Sequence, residues 1–216
     1  GTDYHVSALH ANEAGAKQLA AEHAMASRAL DLTDESALEP CLDELIGELG
    51  GVDALVHCAV AGSTCDPPRF DLLGDVTHAG WDRLMRINVS SAFFACRHVA
   101  PKFEGGGNIV LLGSVDGLKP VPSPAPYAVS KAALQGLVLS LCKALGESGI
   151  RVNLVAPGIL DGGVSVTLPA PLREEYLRHC GLRRFGKAEE IASIVRFMAL
   201  DNTYVTGQTI TLDGGL

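Results

Sequence analysis

Two side chains four residues apart, in the segment Tyr127-Ala-Val-Ser-Lys131, offer acid–base chemistry. Positions i and i+4 share one face of a helix, so the phenol and the ammonium are neighbours. A phenol with an ordinary pKa of about 10 is a poor base at neutral pH. A nearby cation favours the phenolate and brings the group into range for proton transfer. Such a pair also occurs on solvated helix faces, so its surroundings decide. Ser114 follows Asn108-Ile-Val-Leu-Leu112, an apolar run that reads as a buried strand. The carboxyl end of a parallel strand is where open α/β sheets place ligands. A hydroxyl there can bond a substrate oxygen and hold it against the tyrosine. Asn88 interrupts an apolar helical stretch, Ile87-Asn88-Val89. It is either a buried amide satisfied by neighbouring backbone or an anchor for an internal water.

The elements that must position these groups alternate. Tyr4–Leu9 reads as a short strand, Glu13–His23 as a helix and Ser27–Leu30 as a second strand. Glu35–Leu49 is an amphipathic helix with Leu38, Leu42, Leu45, Ile46 and Leu49 on one face, stopped by Gly50-Gly51. Val52–Cys58 is a buried strand. A polar, proline-containing loop covers 61–77, and Trp81–Pro101 is a helix. Prolines 120, 122, 124 and 126 hold the next connection extended. Tyr127–Glu147 is a long apolar helix and Arg151–Val155 a strand closed by Pro157-Gly158. Residues 161–180 are irregular and then helical. Glu189–Leu200 is a helix and Thr209–Leu212 a last strand. Strand and helix alternate with connections too long for hairpins. This predicts an α/β fold in one domain, a doubly wound parallel sheet with helices on both faces.

Composition narrows the function classes. The chain has 216 residues, 47% hydrophobic and 19% charged, which suits one globular domain and excludes a disordered chain. A net charge of −8 makes non-specific binding to nucleic acid a poor reading. No long uncharged apolar run predicts a membrane span, and no signal peptide is visible at Gly1-Thr-Asp-Tyr-His5. The six cysteines (41, 58, 65, 96, 142, 180) form no CxxC pair. A cytoplasmic, reducing setting without a metal site is expected.

The order Asn88, Ser114, Tyr127-x-x-x-Lys131 and Pro157-Gly158 resembles the classical short-chain dehydrogenase/reductase family. So do Arg184-Phe-Gly-Lys-Ala-Glu-Glu-Ile191 and the C-terminal Tyr204–Leu216. The branch it is most similar to is that of 3-oxoacyl-[acyl-carrier-protein] reductases. The resemblance runs from residue 4 to the end. It implies a Rossmann-like fold and an NAD(P)(H)-dependent interconversion of a carbonyl and a secondary alcohol. Tyr127 would be the general acid in reduction and the base in oxidation. Lys131 would lower its pKa and hold the nicotinamide ribose. Ser114 would bind the substrate oxygen. Asn88 would hold a water linking Lys131 to solvent. Pro157, Gly158, Ile159 and Leu160 would line the nicotinamide, and Asp31 and Leu32 would touch the adenine.

Three departures from the family pattern matter. The family's first strand and its glycine-rich phosphate loop have no counterpart among these residues. Residue 1 lies just before what resembles the second strand, about 30 residues into the pattern. The expectation is that the working polypeptide is longer. A natural truncation is the rival reading, and it predicts weak cofactor binding and poor stability. Next, the family's Asn-Asn-Ala-Gly, which packs around the adenine ribose, reads His57-Cys58-Ala59-Val60. His57 is read as a hydrogen-bonded structural residue. Last, His10-Ala11-Asn12 stands where NAD-preferring members often carry an acid. Its absence removes a repulsion against a 2′-phosphate, and a protonated His10 would assist, so NADP is expected, with NAD as the alternative.

Gly181-Leu-Arg-Arg-Phe-Gly186-Lys187-Ala188 is set aside as a phosphate loop, because Ala188 replaces the magnesium-binding Ser/Thr and no strand precedes it. Asp116 lies near Ser114, but no histidine is placed to complete a triad. The rival to an enzyme is a non-catalytic protein of this fold acting through assembly. The loop 61–77 and the segment 161–180 should shape the substrate pocket, and Leu72, Leu73, Val164, Val166 and Leu168 suggest a moderately apolar substrate. The helix from Tyr127 is apolar nearly all round, and so is the helix holding Phe93 and Phe94. A homo-oligomer is expected, a tetramer rather than a dimer, with these helices at a two-fold interface.

Overall fold

A four-stranded, wholly parallel sheet in the order β3-β4-β5-β6 forms the centre of the computed structural model, which describes residues 7–10, 13–23, 26–62, 73–162, 165 and 168–216. Its strands are β3 (Val52–His57), β4 (Phe103–Leu112), β5 (Ile150–Pro157) and β6 (Thr209–Leu212). A second, two-stranded parallel pair holds β1 (Ser7–His10) and β2 (Ala26–Ala29), joined by α1 (Glu13–His23). Among the described residues no strand connects β1 to β3. The expected Rossmann-like parallel architecture is present, with its strands divided between two sheets. The extended start expected at Tyr4 is described only from Ser7.

Alternation along β4 builds both faces of the sheet. Ile109 and Leu111 are fully buried with Ala92, Cys96, Leu134 and Val138 of the two helices on one side. Those helices are α4 (Ser91–Val99) and α5 (Ala125–Ala144). Val110 points the other way, into Val155, Ile191, Met198 and Ala199 under α7 (Ala188–Arg196). α2 (Leu38–Leu49) buries Leu38 and Leu42 against Ala95 and Val99 of α4. It starts later than expected, because residues 34–37 form turns capped by the Asp34 carboxylate, which accepts from the Ser36 N–H at 3.0 Å.

The helix expected over Trp81–Pro101 is not one regular helix. α3 (His78–Met85) is capped by Thr77, whose Oγ1 accepts from the Gly80 N–H at 3.0 Å. A π-turn over Arg86–Ser90 then separates it from α4. The insertion turns Asn88 inward, where it is fully buried. π-turns of this kind are common at functional sites. α5 begins at Ala125, with Pro126 in its first turn, where a missing N–H costs nothing. α6 (Ala170–His179) precedes the turn that leads to α7. No described helix is long and apolar enough to cross a membrane.

Candidate active site

The parallel register sets the ends of β3 to β6 side by side: His57 opposite Leu111, Leu112 opposite Val155, Pro157 opposite Leu212. The segments that follow these strands carry His57–Val60, Ser114 and Pro157–Leu160, so they emerge along one edge of the sheet. α5 crosses that edge with Tyr127 and Lys131 in its first two turns.

Ser114 caps a short 3₁₀ turn, Val115–Gly117, and its Oγ accepts from the Asp116 N–H at 3.2 Å. The turn is pressed onto α5. A Cβ at Gly117 would lie 2.6 Å from the Lys131 carbonyl carbon and closer still to the Ala132 nitrogen, so only glycine fits. This close approach holds the turn that carries Ser114 against the helix that carries Tyr127 and Lys131.

Lys131 is 2% exposed, an unusual position for a lysine. Its ammonium donates to the Leu112 carbonyl at 2.9 Å and lies 5.8 Å from the centroid of the Tyr127 ring. Burial pulls its pKa down to about 8, opposed by any charge on Cys58 and by Asp116. The phenol does not show the lowering expected from this cation. Burial pushes its pKa up, the Asp116 charge adds to the rise, and the Ser114 hydroxyl opposes it. In this geometry the ammonium is committed to a backbone carbonyl, and desolvation outweighs it. The resting phenol therefore holds its proton firmly.

Asn88 makes no bond to Lys131. Its Oδ1 accepts from the Ala61 N–H at 2.7 Å, and its Nδ2 donates to the Ala61 carbonyl at 3.0 Å and to Ser130 Oγ at 2.9 Å. Ser130 in turn donates to the Tyr127 carbonyl at 2.8 Å. The amide thus clasps the segment after β3 to the first turn of α5. The backbone-satisfied reading describes this amide, and Ser130 is a partner the sequence did not point out, although it lies at i+3 from Tyr127. His57 behaves as the structural residue expected. Its Nε2 meets Ser91 Oγ at 2.8 Å, and Ser91 donates to the Ile87 carbonyl. Burial and the Lys131 charge pull its pKa down to about 4, so the ring is neutral at pH 7.

Other candidate residues are placed less directly. Cys58 and Val60 are exposed and Ala59 half-buried. Gly158 donates to the Leu212 carbonyl at 3.0 Å and has no room for a Cβ, which would approach Asp213 Cα to 3.0 Å and overlap the Tyr176 hydroxyl. Leu160 packs partly into the core under α7. Asp31 and Leu32 follow β2 in the separate pair. The Asp31 carboxylate accepts from Thr33 N and Oγ1 at 2.9 and 2.8 Å, and Leu32 packs on the α2 core. His10 ends β1. Ala11, Asn12, Cys65, Leu72, Val164 and Val166 lie outside the described residues. Leu73 is exposed and Leu168 half-buried. In the segment set aside as a phosphate loop, the amides of Gly181, Leu182 and Gly186 bond carbonyls of Gly215, Gly214 and Ile159. Two further residues lie on the turn and loop after β4. Asp116, two positions after Ser114, was set aside as a triad member, and its N–H is held by Ser114 Oγ. Lys119 ties the same loop to Asp213 at 2.6 Å and to the Leu216 carbonyl.

The family model described as Enoyl-(Acyl carrier protein) reductase matches residues 2–216. The chain is 36% identical over 190 residues to the 3-oxoacyl-[acyl-carrier-protein] reductase FabG of Thermotoga maritima, a match covering 87% of this chain and 75% of that protein. It is 39% identical over 171 residues to dehydrogenase/reductase SDR family member 4 of Bos taurus, covering 77% of this chain and 60% of the relative. The chain thus spans about three fifths of that relative's length. The TT0495 protein of Thermus thermophilus superposes with a TM-score of 0.88 at 28% identity, over 98% of this chain and 87% of that one. A 7 alpha-hydroxysteroid dehydrogenase complexed with NADH and 7-oxo glycochenodeoxycholic acid gives 0.86 at 29%, over 98% and 84%. The match along nearly the whole chain, in sequence and in fold, makes this protein a member of the short-chain dehydrogenase/reductase family of oxidoreductases, in its 3-oxoacyl-[acyl-carrier-protein] reductase-like branch.

Proposed function

We propose that the protein interconverts a small-molecule carbonyl and a secondary alcohol with a nicotinamide dinucleotide, with Tyr127 as the acid in reduction and the base in oxidation. The observation that carries this reading is the buried Lys131 ammonium, 5.8 Å from the centroid of the Tyr127 ring and bonded to the Leu112 carbonyl at the carboxyl end of β4, two residues before Ser114. Ser114 orients the substrate oxygen, and Tyr127 moves the proton at that oxygen. The protonated phenol is the form that donates in reduction, and the phenolate the form that accepts in oxidation. Asn88 keeps the first turn of α5 in place and so fixes the direction of the phenol.

The nicotinamide end of a cofactor fits these residues. Lys131 has three donors and spends one on Leu112 O, which leaves donors for ribose hydroxyls. Backbone groups of Pro157–Leu160 would border the nicotinamide, and Cys58, Ala59, Val60, Asp31 and Leu32 the adenine half. When bound, the nicotinamide supplies or accepts the hydride. NADP is favoured over NAD, because His10-Ala11-Asn12 places no carboxylate to repel a 2′-phosphate. Phe93, Val129 and Leu139 leave apolar surface exposed on α4 and α5, which supports a homo-oligomer, a tetramer above a dimer.

The test is nicotinamide turnover against a panel of ketones and secondary alcohols, with wild-type protein and Tyr127→Phe. Loss of at least about 10²-fold in kcat with unchanged cofactor affinity is expected. Wild-type turnover by Tyr127→Phe would overturn the assignment, and failure of any substrate or cofactor to react would favour the assembly role.

A further inference from the structure

We propose that Lys119 and Asp213 form a strap that holds the substrate-side wall of the site against the turn carrying Ser114, and are thereby positioning residues that set substrate affinity. The inference rests on the reading of Ser114 and Tyr127 as the groups that meet the substrate oxygen. The Lys119 ammonium donates to Asp213 Oδ2 at 2.6 Å and to the Leu216 carbonyl. In the order β4-β5-β6, β5 lies between the strands that lead to these two residues. The ion pair therefore bridges the end of β5, where Gly158 follows Pro157. Lys119 belongs to the Ser114 turn, since its N–H bonds the Val115 carbonyl at 2.8 Å. The Asp213 side chain is only 7% exposed and that of Lys119 32%, so the pair is partly shielded from water and salt.

Residues 213–216 carry the far side of the site. The Asp213 carboxylate accepts from the N–H groups of Gly215 at 3.0 Å and Leu216 at 3.4 Å, which curls the segment back on itself. Its carbonyls then take α6 and the turn after it. The Tyr176 hydroxyl donates to the Asp213 carbonyl at 2.8 Å, the Leu182 N–H to Gly214 at 2.9 Å and the Gly181 N–H to Gly215 at 3.2 Å. Those elements in turn hold the chain that follows β5. Tyr176 packs on Gly158, and the Gly186 N–H donates to the Ile159 carbonyl at 3.0 Å. Arg173 donates to the Ser165 carbonyl at 3.0 Å, and Ser165 Oγ accepts from the Leu160 N–H at 3.3 Å. A shift of 213–216 is passed along this series of contacts to Gly158, Leu160 and Ser165. Tyr127 and Lys131 are held separately, by the Asn88 clasp and the Leu112 carbonyl. Losing the strap therefore loosens the wall and leaves the acid–base pair in place.

The test is Lys119→Met, Asp213→Asn and the double variant of the full protein, read by hydrogen exchange and steady-state kinetics. Lys119→Met is expected to speed exchange at the Gly181 and Leu182 amides relative to Ile109 in the core. It should raise substrate KM by roughly tenfold, within the range for partners of one ion-pair network, with the pH profile of kcat unmoved. Asp213→Asn does the same, and the double variant is no worse than either alone. Lys119→Arg, which keeps the charge, retains wild-type values of both readouts. Unchanged exchange at Gly181 and Leu182 in Lys119→Met overturns the strap. Faster exchange with an unchanged KM overturns the positioning role, and additive effects in the double variant overturn the pairing. If Asp213→Asn does not fold, the two Lys119 variants decide, since that side chain is a third exposed. Failure of the underlying reading shows separately, as retained turnover in Tyr127→Phe, and the exchange result does not depend on it.

Discussion

Asn88 and Ala61 are joined by a two-way clasp: the Asn88 amide accepts the Ala61 N–H at 2.7 Å and returns a hydrogen bond to the Ala61 carbonyl at 3.0 Å. A third bond, to Ser130 Oγ, links that clasp to α5. One buried side chain therefore fixes the segment after β3 against the helix that carries the candidate acid.

Asn88→Ala removes all three bonds, leaving the half-buried Ala61 N–H and carbonyl unpaired and Ser130 with its bond to the Tyr127 carbonyl alone. The expected loss of stability is about 1–3 kcal/mol, the usual cost of one orphaned polar group or more. Urea unfolding measures it. Hydrogen exchange at the Ala61 amide should accelerate more than at Ile109 in the core, which separates local release from global loosening.

Gly117→Ala tests the close approach of the turn to α5. A Cβ there meets backbone rather than a yielding side chain. Overpacking of this kind costs about 1–3 kcal/mol. The melting temperature should fall, and kcat with it, because the turn that carries Ser114 must move off α5. A variant with wild-type stability and rate would show that the turn has slack.

His57→Asn probes acid stability. The folded His57 pKa, about 4, lies below the ordinary histidine value. Between those two values the unfolded chain takes up a proton that the folded chain refuses, so this group makes stability fall as pH drops through the window. Above the ordinary value both states are neutral and the effect vanishes. The wild type should therefore lose more stability than His57→Asn between about pH 6.5 and 4. Parallel curves from denaturant unfolding would place the acid sensitivity elsewhere.

Lys131→Met tests the cost of the buried ammonium. The folded pKa of about 8 lies below the ordinary lysine value. Below pH 8 both states carry the proton and the burial cost is present in full. Above it the folded chain releases the proton first, so stability rises with pH through the window. At neutral pH Lys131→Met, which is unbranched, uncharged and one atom shorter, should be at least as stable as wild type. That advantage should shrink as the pH approaches about 10, the ordinary lysine range. Cofactor affinity, read by nicotinamide fluorescence, should fall.

Much of this protein was legible in its sequence, because period and punctuation are local. The 3.6-residue pattern over Leu38–Leu49, the Gly50-Gly51 stop and the apolar run around Ile109–Leu112 marked their elements, and the spacing of Tyr127 and Lys131 put both groups on one helical face. The order Asn88, Ser114, Tyr127, Lys131 was enough for the family. What only the tertiary structure decided is how these groups meet. The π-turn that buries Asn88 and the turn on which Ser114 and Asp116 sit against α5 depend on contacts distant in sequence. The protonation of the phenol belongs to the same class. Spacing alone pointed to a lowered pKa, but a pKa depends on desolvation and on every charge nearby, and burial and Asp116 are set by packing that no four-residue pattern contains.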